Sequence, residues 1–118
     1  MDESQQQLNA AIDRLRPRYV STMTDFSERL SAALDEQART GPNDAALDEI
    51  RFVAHRLAGT AESFGWGEIG AHAAQVDTLM TGCDAETCDS HRHLTPVRKL
   101  RDMLLRATRA EATPRRLR

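Results

Sequence analysis

The chain has 118 residues, enough for one domain with one core and too few for two that each bury their own. Aromatic content is 4% and glycine is scarce, and Leu, Ala, Val and Ile recur three or four residues apart, which excludes a sheet protein and predicts an all-helical one. The net charge of −2 hides a basic end, since residues 98–118 hold eight of the sixteen Lys and Arg against only Asp102 and Glu111. That end lacks the recognition motif or stacking aromatics of a nucleic-acid interface, so no nucleic-acid partner is expected.

No apolar run approaches the ~18 residues of a membrane span, and the acidic start Met1-Asp2-Glu3 is unlike a secretory signal. The expected location is cytoplasmic, without a membrane partner, and in a reducing cytosol Cys83 and Cys88 are expected as free thiols.

Along the chain, Leu8, Ile12, Leu15, Tyr19, Met23, Phe26, Leu30 and Ala33 keep a spacing of three and four that breaks only at Gln37. Pro17 interrupts it, and an interior proline removes a backbone donor, so a short first helix is expected to stop or kink there before a longer one runs to about Ala38. Arg39-Thr40-Gly41-Pro42-Asn43 reads as a turn, with Asn43 or Asp44 available as the next cap. Leu47, Ile50, Ala54, Leu57, Ala61 and Phe64 then form an unbroken helical seam. Gly65-Trp66-Gly67 ends it, and Ile69, Ala73, Val76, Leu79 and Met80 define a further helix finished by Gly82. Cys83 to His93 is polar and loop-like. The last helix carries Leu94, Val97, Leu100, Leu104 and Ala107, starting between Ser90 and the Thr95-Pro96 pair, and the basic tail 112–118 is expected to fray. The expected fold is an antiparallel up-down-up-down four-helix bundle, preceded by a short extra N-terminal helix, in one domain spanning 1–118.

On a wheel of about 100° per residue, the seam from Leu47 to Phe64 centres about 120° from His55, which therefore points outward. Asp48, Arg51, Phe52, Ala58, Gly59 and Glu62 share its face. A glycine inside a helix costs roughly 1 kcal/mol relative to alanine, so Gly59 requires a reason. Two remain open from geometry: access of a partner to the imidazole, or close packing of another helix.

The run His55-Arg56-Leu57-Ala58-Gly59-Thr60-Ala61-Glu62-Ser63-Phe64-Gly65 resembles the signature of histidine phosphotransfer domains. That signature is His, any residue, Leu, usually Lys, Gly, two small residues, two more, then an apolar residue and Gly. The resemblance implies that His55 accepts a phosphoryl group at Nε2 from a receiver-domain aspartate and passes it on, in a phosphorelay that also includes a sensor or hybrid histidine kinase. It implies a phosphocarrier without kinase activity of its own and without a cofactor on this chain, Mg²⁺ being held by the partner receiver domain. It also implies that a side chain at Asp77, on the next helix, holds the other ring nitrogen and fixes the tautomer. The family's frequent lysine is Ala58 here, so Arg51 and Arg56 are the natural substitutes for steadying the phosphoryl group. Ala58 and Gly59 would clear the approach, and Phe52 and Trp66 would offer a docking partner apolar contact.

Cys83, Cys88, His91 and His93 fall within eleven residues but match no familiar zinc spacing, and only His72 elsewhere could join them, so no metal site is expected. His72 is expected at the edge of the core face of its helix. No phosphate loop or nucleophile triad occurs in a recognisable order. The alternative to a phosphocarrier is a helical bundle that docks on a signalling partner without carrying phosphate.

Overall fold

In a computed structural model that describes residues 2–112, one helix of 38 residues, α1 (Glu3–Thr40), sets the length of the molecule. At ~1.5 Å per residue such a helix nearly matches the longest dimension, 52 Å. Asp2 starts it by accepting the Gln5 amide at 2.8 Å. The separate short helix expected before Pro17 does not form, because α1 runs through the proline. Pro17 withholds a donor from the Asp13 carbonyl, but both residues are exposed and water can take the carbonyl. The turns on either side are held down: Arg16 donates to the Phe64 carbonyl and pairs with Glu111 at 2.9 Å, and Tyr19 is buried.

Three further helices follow, α2 (Asp44–Thr60), α3 (Gly67–Met80) and α4 (Ser90–Ala112), with no strand among the described residues. The basic tail, apart from the helical backbone of Ala112, lies outside the described residues. Asn43 caps α2, accepting the Ala46 amide at 2.9 Å, while Asp44 accepts the Ala85 amide from the α3–α4 loop. α2 is shorter than its apolar seam. It gives way at Thr60 to a 3-10 turn, Ala61–Phe64, closed by Gly65 at φ +96°, where Trp66 N–H reaches the Ala61 carbonyl in a Schellman-type reversal.

α4 begins at Ser90, the early end of the expected range, because Asp89 receives the amides of His91 and Arg92 on one oxygen. These bonds hold the Asp89 carboxyl below its ordinary range. α1 packs against α2 and α4, α2 against α3, and α3 against α4, so four helices enclose one core. Met23, Leu30, Leu47, Ile50, Leu57, Leu100 and Leu104 are fully buried there. Each such side chain contributes roughly 1.5–3 kcal/mol of transfer free energy.

Gln37, where the apolar spacing of α1 failed, is buried all the same, and neither its amide oxygen nor its nitrogen has a hydrogen-bond partner. A buried unsatisfied amide costs about 1–3 kcal/mol. Gln37→Met, of similar volume, is therefore expected to raise the unfolding free energy by about that amount in urea titrations, and an unchanged midpoint would show that the amide is satisfied in solution. A second expectation concerns acid. The stability Asp89 adds is present above its ordinary unfolded pKa and is lost as pH falls through its depressed folded value. Amides at the start of α4 should thus lose exchange protection at acid pH in the parent, and Asp89→Ala should remove that pH dependence.

Candidate functional site

α2 presents two opposed faces. Leu47, Ile50, Val53, Ala54 and Leu57 are buried without residual exposure, which fixes the rotation of the helix about its axis. His55 is thereby turned outward, its side chain 78% exposed. The neighbouring α3 brings Asp77 alongside, and His55 Nδ1 lies 3.1 Å from Asp77 Oδ2. An ionised carboxylate only accepts, so this contact places the ring proton on Nδ1 and leaves the Nε2 lone pair facing solvent.

Gly59, one turn further, is exposed, and a Cβ built there would meet nothing within 4 Å. Close packing of another helix of this chain is therefore not what the glycine serves. Ala58 is half-buried against the core and Glu62 stands exposed on the 3-10 turn. Phe52 is 45% exposed. Its ring meets Phe26 edge-on at 6.3 Å, Arg29 lies over it at 4.7 Å and Arg56 at 5.9 Å. His55, Phe52, Arg56 and Gly59 thus share one open face of α2, with Asp77 at its α3 border.

Two expected members are occupied elsewhere. The Arg51 guanidinium donates to the carbonyls of Met80, at the end of α3, and Cys83, in the α3–α4 loop, and pairs with Asp48. Arg51 is thus a strut between α2 and the loop. Trp66 is half-buried at the α2–α3 turn, with Arg16 4.1 Å from its ring centre and Tyr19 at 6.0 Å. Tyr19 also stacks on Phe64 at 4.4 Å, and its hydroxyl meets Thr60 Oγ1 at 2.7 Å. Burial pushes the Tyr19 phenol up, keeping it protonated at neutral pH. Sequence reasoning placed Tyr19 only on the apolar stripe of α1 and did not single out Arg16. Arg16 had no visible signal, because its partners, Phe64 and Glu111, lie far away in the chain.

These features coincide with a family assignment. The sequence matches the Hpt domain family over residues 14–110. The chain belongs to the Hpt domain family. Hpt domains are phosphocarriers of histidine phosphotransfer in phosphorelays, where they meet receivers and kinases. Comparison with curated proteins and with solved structures gave no match. The matched span of this Hpt domain begins within the first half of α1 and ends within α4, so it takes in His55, Asp77 and every helix that borders them.

His72 and the two cysteines of the Hpt domain lie away from this face. His72 is half-buried on α3, and its Nε2–H donates to the Pro96 carbonyl of α4 at 2.9 Å. Cys83 is buried and Cys88 half-buried, both as free thiols. Burial, followed by the hydrogen bond to Cys83, pushes the Cys88 thiol up to about 11. A thiol that stays protonated at neutral pH is a poor nucleophile. Among the described residues, no helix is long and apolar enough to cross a membrane.

Since the Gly59 position is open, Gly59→Ala is expected to stabilise the domain by about 0.5–1 kcal/mol in chemical denaturation. Destabilisation instead would reveal a packing role for the glycine.

Proposed function

We propose that His55 carries a phosphoryl group between a receiver-domain aspartate and a second receiver, with a sensor or hybrid kinase upstream and a response regulator downstream. The observation that carries this reading is the contact of His55 Nδ1 with Asp77 beneath a ring otherwise open to solvent. The Nε2 lone pair attacks phosphorus of the aspartyl phosphate, the P–O bond breaks, and the partner carboxylate leaves with the electron pair. The ring keeps its Nδ1 proton and becomes a cation, and Asp77 at 3.1 Å stabilises the positive charge as it develops. The reverse transfer to a second aspartate follows the same path.

Mg²⁺ belongs to the receiver pocket in this scheme, and the chain supplies nucleophile, orientation and access without a cofactor of its own. Arg56 has no carboxylate partner among the described residues, so it is the better placed of the two arginines to meet phosphoryl oxygens, Arg51 being spent on the loop. Phe52 offers the receiver an apolar contact. We read the helices as running up, down, up and down, in a single cytoplasmic domain, a course that the short α1–α2 and α2–α3 connections favour.

Incubation with a phosphorylated receiver domain and Mg²⁺ should place an acid-labile, base-stable label on the parent chain and none on His55→Gln of equal helicity. Asp77→Ala should slow labelling on the order of ten- to a hundredfold, the usual effect of removing a group that orients a functional histidine. No label on the parent with any receiver tested would leave a docking module that carries no phosphate.

A further inference from the structure

The α3–α4 loop and the first turn of α4 gather three side chains that the phosphotransfer site does not use. Cys83, Cys88 and His93 each offer one ligand atom, two sulfurs and a ring nitrogen, all within 4.8 Å of one another. His91, their neighbour in sequence, is outside the group and exposed. Cys83 belongs to the buried core and Cys88 packs against it, so both sulfurs are held from behind. Two thiols and an imidazole form a soft donor set, suited to zinc and unsuited to Mg²⁺ or Ca²⁺, which take oxygen ligands. Zn–S bonds of about 2.3 Å and Zn–N bonds of about 2.0 Å put tetrahedral ligand atoms roughly 3.5–3.8 Å apart, so contraction by about 1 Å closes the triad on an ion.

We propose that Cys83, Cys88 and His93 bind one Zn²⁺ within a single chain, with the fourth position open to water. Each thiol releases its proton to solvent and gives its sulfur lone pair to the metal, so one Zn²⁺ enters, two protons leave, and no electron is transferred. At present the Asp89 amide donates to His93 Nδ1 at 2.8 Å. Coordination through Nδ1 hands that exposed amide to water and leaves the ring proton on Nε2. The metal then braces the loop whose Cys83 carbonyl holds Arg51, one turn before His55.

Titration of the reduced, chelator-treated full chain with Co²⁺ tests the site, because cobalt bound to thiolates shows an intense near-ultraviolet charge-transfer band. The expected result is one equivalent per chain with that band, displaced by one equivalent of Zn²⁺. Cys88→Ser and His93→Gln, checked for helicity, should each weaken binding by more than the ~10–100-fold typical of outer-shell partners. His91→Ala and His55→Gln should bind as the parent does, so the result is independent of phosphotransfer. Absence of the band at equimolar Co²⁺ in the parent overturns the proposal. So does half an equivalent per chain, or a band that survives Cys88→Ser undiminished.

Discussion

The rotational setting of α2 is the constraint on which the rest depends. Five side chains on that helix, Leu47, Ile50, Val53, Ala54 and Leu57, are removed from water completely, and a turn of the helix about its own axis would expose several of them at once. At roughly 1.5–3 kcal/mol for each large aliphatic group, such a turn would cost a large fraction of a small domain's stability. The outward direction of His55 is therefore a by-product of packing. No interaction of the imidazole itself has to hold it there, and among the described residues its polar contact is to Asp77.

The surroundings divide the same way. What lies on the α1 side of the exposed face is aromatic, Phe52 contacting both Arg56 and Arg29, the latter paired with Glu49 and Asp25; what lies on the α3 side is the carboxylate. Gly59, one turn beyond the ring, leaves that end of the face open. The family assignment and this geometry agree without depending on each other, since one rests on the whole matched span and the other on a few side chains.

Much of this was legible in the sequence, for identifiable reasons. The seam of α2 is spaced by threes and fours without a gap, so its buried face and the outward His55 followed from periodicity alone. Asp77 did not follow from periodicity; it needed the family resemblance, because no local pattern says which residue of another helix will lie opposite. Pro17 misled, since the local rule against interior proline was offset by an exposed carbonyl and by the long-range anchor at Arg16. Arg51 was read as a group to steady the phosphoryl; its bonds to the carbonyls of Met80, at the end of α3, and Cys83, in the α3–α4 loop, could not be foreseen, because carbonyls leave no mark in a sequence. The cysteine and histidine cluster hid for a related reason: spacing along a loop says little about how the loop folds back on itself.

The long first helix has a further consequence. Its initial turns stand clear of the enclosed core, with Leu8 and Leu15 about half exposed, whereas from Tyr19 onward one stripe is buried against α2 and α4. Opening of those initial turns removes little apolar surface from contact, so they can unwind in isolation while the remainder stays folded. Unwinding there leaves the anchor of Arg16 on Phe64 and Glu111 in place. The histidine face is thereby insulated from whatever is attached at that end, and a tag or fused partner placed there should leave its geometry undisturbed.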